Sequence, residues 1–378
     1  MEYHRKDVLV LGEDAGPDDV RRLREFVADR GGRLLDIPGG ALPAGSLLRV
    51  SGVDAKVVSD LLWDTRGEHE RPPLVGLKHQ YAAGTHPLED FLEPPTDREY
   101  GLHGDGVKAG HAFLTWVEEL DTDLPDAPEW RRMPHGQRRP VVALVDTPVV
   151  EHHWLPKPGP DEDPFLLTPK VSWETTGSWW DDVKVTGHRG HGTFIAGLIR
   201  LAAQDAQILS VPVMRNDGLV DEDTAVTALN WLVDDYLAGG GTVDVVCLAF
   251  GRKIDPAHGD DGRAIDEPLR RLAAHGVRIV ASAGNDGSDE RVVPASLVPP
   301  LHGFSVGAGQ SESRHAIFSN YGDWVNAWDV GENVLSIELV YAALADFELD
   351  YDGWARWSGT SFAAGSRAGK EAKAAQLG

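Results

Sequence analysis

The chain has 378 residues, of which 42% are hydrophobic and 25% charged, enough for one large domain or two ordinary ones with a substantial core. Sixty acidic against 36 basic residues give a formal charge of −24, which argues against a phosphate-binding surface and a nucleic-acid role. The single cysteine, Cys247, excludes an internal disulfide framework and a CxxC zinc site, and no stretch approaches the roughly 18 apolar residues of a membrane span.

Residues 1–7 lead into a short apolar run broken by Glu13 and Asp14, unlike a secretory signal, so a cytoplasmic protein is expected. Val8 to Leu11 form a first strand, ended by Gly12 to Pro17. Val20, Leu23, Phe26 and Val27 then repeat with helical spacing, behind acids that suit a helix start. Residues 33–37 and 46–50 read as strands, residues 53–63 as a helix and residues 74–77 as a fourth strand. This βαββαβ order predicts a small α+β, ferredoxin-like domain over residues 1–85. Residues 86–139, with Pro87, Pro94 and Pro95, read as linker and connecting segment.

From residue 140 to 378 the pattern changes to apolar strands alternating with helices, which predicts an α/β, doubly wound, mostly parallel sheet. The strands are residues 141–145, 208–211, 243–248 and 277–281, and the intervening helices residues 224–238 and 266–275. Residues 151–182 read as a long surface loop. Residues 346–352 alternate strictly and predict a strand leading in a hairpin to Trp357. Cys247 lies within an apolar strand and is expected in the core.

Three polar residues stand at the ends of such elements. Asp146 closes the first strand of the second domain, where open α/β sheets bind ligands. His191 lies in Gly190-His191-Gly192-Thr193 at the start of an apolar helix, and Ser361 opens a small-residue helix whose N–H groups favour an anion. Each has a plainer reading, as a cap, a loop histidine and an N-cap. Together they suit acyl transfer: serine needs an imidazole to take its proton, and the imidazole needs a carboxylate to fix its tautomer. Asn285, delivered after a strand through Ser282-Ala283-Gly284, supplies an amide donor for an oxyanion.

The order Asp, His, Ser, with Asp146-Thr147, Gly190-His191-Gly192-Thr193, Ala283-Gly284-Asn285 and Gly359-Thr360-Ser361, resembles the subtilisin-like serine peptidases. Phe318-Ser319-Asn320-Tyr321-Gly322 and Leu248-Ala249-Phe250-Gly251 look like two further family segments. The resemblance implies a serine endopeptidase acting on peptides or proteins, with Asp146 orienting His191, His191 as general base and Ser361 as nucleophile. It implies an oxyanion hole of Asn285 and the Ser361 N–H, and a primary pocket walled by Ala249, Phe250, Gly251 and Ser282, Ala283, Gly284. It makes the first domain similar to the family's propeptide, although a permanent accessory domain fits equally. No cofactor is expected; calcium is common in the family, but no contiguous ligand loop is visible. The competing reading is a non-catalytic or self-inhibited peptide-binding protein; an esterase is disfavoured by the missing G-x-S-x-G elbow.

Departures from the family pattern are Pro148, Gly365 and Asp329-Val330-Gly331. Gly365 should cost its helix roughly 1 kcal/mol relative to alanine. Trp179-Trp180 could line the cleft, and His188 reads as a loop histidine. Asp221, Glu222 and Asp223, in a stretch without lysine or arginine, are expected near the upstream part of a bound peptide, where they would favour Lys or Arg or simply open a helix.

Overall fold

The computed structural model describes residues 4–11, 17–28, 33–35, 47–51, 75–83, 115–118, 126–127, 129, 131–156, 163–171, 173, 190–215, 218–253, 262–311, 314–337 and 351–377. The expected helix at 53–63, His188, Trp179-Trp180 and residues 346–350 lie outside them.

The first unit contains β1 (His4–Leu11), α1 (Pro17–Ala28), β2 (Arg33–Leu35), β3 (Leu47–Ser51) and β4 (Val75–Ala83). Its strands are antiparallel in the order β2-β3-β1-β4, the sheet order of a ferredoxin-like unit. On α1, Leu23 and Val27 are fully buried while Arg24, Glu25 and Ala28 are exposed, the i, i+4 stripe that the spacing predicts. β4 runs six residues beyond the predicted Leu77, because its second half finds partners in the other unit, as set out below.

β5 (Thr115–Glu118) lies in the stretch read as connecting segment. It is a strand because a partner is waiting: Trp116 pairs with Ala355, and Thr115 with Arg356.

The second unit runs through β6 (Val141–Asp146), β7 (Leu166–Leu167), α2 (His191–Ala202), β8 (Gln207–Pro212), β9 (Leu219–Asp221), α3 (Glu222–Trp231), β10 (Val245–Leu248), β11 (Phe250–Lys253) and α4 (Arg263–Ala274). It continues with β12 (Arg278–Ser282), β13 (Val292–Val293), β14 (Phe304–Ser311), β15 (Arg314–His315), β16 (Ala327–Val330), β17 (Val334–Ile337), β18 (Tyr351–Trp357) and α5 (Thr360–Leu377). The main sheet has the order β15-β14-β12-β10-β6-β8-β7, with β16 also on β14; every pairing is parallel except that of β15. It is a doubly wound α/β sheet, as expected. All six residues of β6 are buried. Val142 and Leu144 pack with α2 and α5 on one face, and Ala143 and Val145 with α3 and α4 on the other, so a uniformly apolar strand is required. Cys247 is buried in the α2/α5 layer.

The helix expected over residues 224–238 differs at both ends. α3 starts at Glu222 rather than 224, and its predicted end is a π-helical turn, Leu232–Leu237. Gly365 is explained by packing: a Cβ there would stand 2.8 Å from Ile195 Cγ2 of α2. The expected loss in helix propensity is offset by the close approach of the two central helices.

Candidate active site

Parallel strands bring their carboxyl ends to one edge, and Asp146 is the last residue of β6. His191 opens α2 behind Gly190, and its Nδ1 lies 2.8 Å from Asp146 Oδ1. The same oxygen accepts the Thr147 N–H at 2.7 Å, so the carboxylate is held from two sides. Thr147 Oγ1 in turn accepts the Gly192 N–H at 2.9 Å, tying the strand end to the helix start. Trp357 meets the imidazole edge-on at 5.7 Å, and Phe362 lies 5.5 Å from it.

Ser361 lies in the first turn of α5, and its hydroxyl donates to the carbonyl of Ala249 at 3.0 Å. Asp146, His191 and Ser361 are all fully buried. The serine at this helix start is therefore closed in rather than open to solvent.

Asn285 is held by Thr360, a residue whose part sequence reasoning missed. Asn285 Oδ1 accepts both the Thr360 N–H, at 2.9 Å, and its hydroxyl, at 2.8 Å. Thr360 Oγ1 also accepts the Gly284 N–H at 3.0 Å. With its oxygen committed, the amide presents Nδ2 as a buried donor that meets no acceptor. Asn320 clamps the same loop, donating to the Ala283 carbonyl at 2.9 Å and accepting from the N–H groups of Asp286 and Ser288. Gly284 has φ +97°, and a Cβ there would lie 2.6 Å from Asn320 Nδ2, so glycine is required on both counts. The only sequence signal for Thr360 and Asn320 was their presence in the Gly-Thr-Ser and Phe-Ser-Asn segments.

The expected pocket walls stand beside the serine, with one correction. Ala249, Ser282 and Ala283 are buried, and Gly251 and Gly284 are half-buried. The Phe250 ring, however, packs in the core with α3 and α4, so this residue offers only its backbone. That backbone is engaged. β4 lies antiparallel between β9 and β11, with Tyr81 opposite Val220, Ala82 opposite both Leu219 and Gly251, and Ala83 opposite Phe250. A segment of the chain itself occupies the slot between β9 and β11, next to Ser361.

The acidic stretch is largely spoken for. Glu222, only 1% exposed, bonds Arg252 at 2.9 Å, and Asp221 lies 3.5 Å from Arg215. Asp223 Oδ1 accepts the Thr224 N–H. Arg215 and Arg252 both lie outside the stretch free of lysine and arginine, so the expected pull on basic peptides loses Glu222 altogether. The Glu222–Arg252 pair also ties the start of α3, directly after β9, to β11 on the other side of β4. Among the described residues, no group of three His, Cys, Asp or Glu is placed to hold a metal.

Fold and site together define an α/β protein whose polar side chains converge at the carboxyl ends of parallel strands. The chain belongs to the subtilase family, whose sequence profile matches residues 137–377. It is 26% identical over 253 residues to subtilisin-like protease 1 of Arthroderma otae, covering 65% of this chain and 47% of that protein. To subtilisin-like protease 2 of Pseudogymnoascus destructans it is 30% identical over 156 residues, covering 40% and 36%. The chain thus spans less than half the length of these relatives. Among solved structures, the protease domain of PatA is similar with TM-score 0.46 and 21% identity, over 63% of this chain and 80% of that one. A cold-adapted subtilisin-like serine proteinase gives TM-score 0.43, also at 21% identity, over 67% and 82%.

Proposed function

We propose that the protein is a serine endopeptidase in which Asp146, His191 and Ser361 form the triad and Asn285 with the Ser361 N–H forms the oxyanion hole. The observation that carries this reading is the buried 2.8 Å contact between His191 Nδ1 and Asp146 beside the helix that bears Ser361. A carboxylate on Nδ1 leaves Nε2 as the basic nitrogen and stabilises the imidazolium that forms. The Ser361 hydroxyl turns from the Ala249 carbonyl and gives its proton to Nε2 while Oγ attacks the scissile carbonyl. Asn285 Nδ2, fixed by Thr360, donates to the oxyanion. Collapse expels the amine, protonated by His191, and water then repeats the sequence on the acyl-enzyme. Walls of alanine and glycine favour a small or apolar residue at the cut.

A second observation supports a self-limited form of this enzyme. β4 fills the slot between β9 and β11, and its register runs from Ala83 at Phe250 towards Ala249 and Ser361. On this reading the first unit blocks the cleft, as a propeptide would, until the chain is cut beyond Ala83.

Intact-mass spectrometry with a fluorophosphonate probe tests both readings. Wild type should lose the first unit by scission between residues 84 and 110 and then take one probe. Ser361→Ala should stay full length, take no probe and lose at least about 10³-fold in peptide hydrolysis. Retention of more than about a hundredth of the rate in Ser361→Ala would sink the triad. A wild type that hydrolyses peptides at full mass would leave the triad standing and remove the inhibitory role of β4.

A further inference from the structure

α2 ends in a cluster that the proposed chemistry does not use. Arg200, in its last turn, is fully buried, as is Phe165, while Arg139 is 2% and Asp205 4% exposed. The guanidinium of Arg200 lies 3.5 Å over the Phe165 ring, and that of Arg139 lies 4.8 Å from the same ring. Stacking on an aromatic face, together with the helix C-terminal dipole, favours the positive charge. It does nothing for the N–H donors, which lie in the guanidinium plane. Nε, Nη1 and Nη2 of Arg200 are all buried and meet no acceptor. The carboxylate within reach is already committed: Asp205 accepts from Arg131 at 2.8 and 3.1 Å, from Gln376 at 3.1 Å and from Arg139 at 3.4 Å.

Arg131 and Arg139 both bond Asp205, and Arg139 lies close enough to Arg200 to repel it. Burial, and then repulsion from Arg139, push the Arg200 guanidinium down to about 10. Unpaired buried donors on a cation are costly, and planar guanidinium donors match a small anion lying in their plane. Arg131 and Gln376, which bond Asp205, also line a cavity of about 450 Å³ together with Arg132 and Lys373, a basic surface on a chain of net charge −24.

We propose that the end of α2 holds a small inorganic monoanion, of the size of chloride or nitrate, in the plane of the Arg200 guanidinium beside Arg139. The anion supplies the acceptors that the Arg200 donors lack among the described residues, and so it acts on stability rather than on turnover.

The test uses the full chain carrying Ser361→Ala, which prevents self-cleavage. Thermal unfolding is followed as sodium nitrate replaces sodium gluconate at constant ionic strength. The midpoint should rise saturably by about 2–4 °C. Adding Arg200→Met should abolish the rise, whatever the starting midpoint. Equal responses with Arg and Met at residue 200 would overturn the site, because general salt effects act on both. Should the Arg200→Met chain fail to fold, crystals of the Ser361→Ala protein soaked in sodium bromide decide the matter. An anomalous peak within about 3.5 Å of the Arg200 nitrogens supports the site, and its absence overturns it.

Discussion

The two ends of α2 carry buried polar clusters of opposite kinds. At its start, His191 of α2 is held by Asp146 of β6 and Asn285 by Thr360 of α5, while Asp146 also accepts from the adjoining Thr147 N–H. Roughly 13 Å further along the helix axis, Arg200 lies on an aromatic ring with no acceptor at all. Both ends keep buried donors in reserve: Asn285 Nδ2 at one, three guanidinium nitrogens at the other. On the proposed mechanism the first donor finds its acceptor only when an oxyanion forms. The second set needs one for as long as the protein is folded. On these two proposals a buried group without a partner is tolerated where something outside the chain completes it, and the timing separates a catalytic donor from a structural one.

The comparison predicts that substitutions at one end change rate and those at the other change stability. Beyond Ser361→Ala, the largest effect is expected at Asp205. Asp205→Ala strips the buried arginines of their counter-charge and should cost about 3–5 kcal/mol in urea denaturation. The kcat of the folded fraction should stay unchanged. A fall in kcat with intact stability would erase the distinction between the two ends.

Asn285→Ala should lower kcat by about 10²–10³ with KM nearly constant. Thr360→Val, which removes the hydroxyl that steers Asn285, should lower it about tenfold, again without loss of thermal stability. A change mainly in KM for either variant would move this pair out of the oxyanion site.

The smallest effect expected is a separation in pH. Burial, then repulsion from His153, lower His152 from 6.5 to about 4. Between those values the unfolded chain binds a proton that the folded chain does not, so stability should fall as pH drops from 6.5 towards 4. His152→Gln should flatten that window. Asp205 is held below its ordinary 3.8, first by the Arg131 hydrogen bond. Its contribution is present above that value and is lost as pH falls through the lower, folded one. Denaturation profiles of wild type, His152→Gln and Asp205→Ala should therefore lose different parts of the acid limb.

Much of this architecture is legible in the chain. Residues 141–146 are apolar up to a terminal aspartate because a strand buried on both faces admits polarity only at its end. Gly190-His191 and Thr360-Ser361 announce helix starts because small residues and sudden apolar runs mark them. Partnership is harder to read. Glu222 looked like one acid among several, and its cation, Arg252, lies 30 residues away on β11. Gly365 looked like a weakness until Ile195 stood against it. Phe250 looked like a pocket wall, since sequence does not say which face of an edge strand is turned inward.

By itself the sequence determined the order of the central strands and helices of the second unit, the residue types at their ends and hence the acyl-transfer chemistry that those types permit. These follow from local periodicity and from the few side chains able to move a proton near neutral pH. Only the tertiary structure decided that β4 lies between β9 and β11, that Ser361 is closed in and donates to Ala249, and that Arg200 is buried without an acceptor. Each of these depends on segments far apart in the chain meeting in space. Burial and hydrogen-bond satisfaction are properties of that meeting, not of any residue's neighbours in sequence.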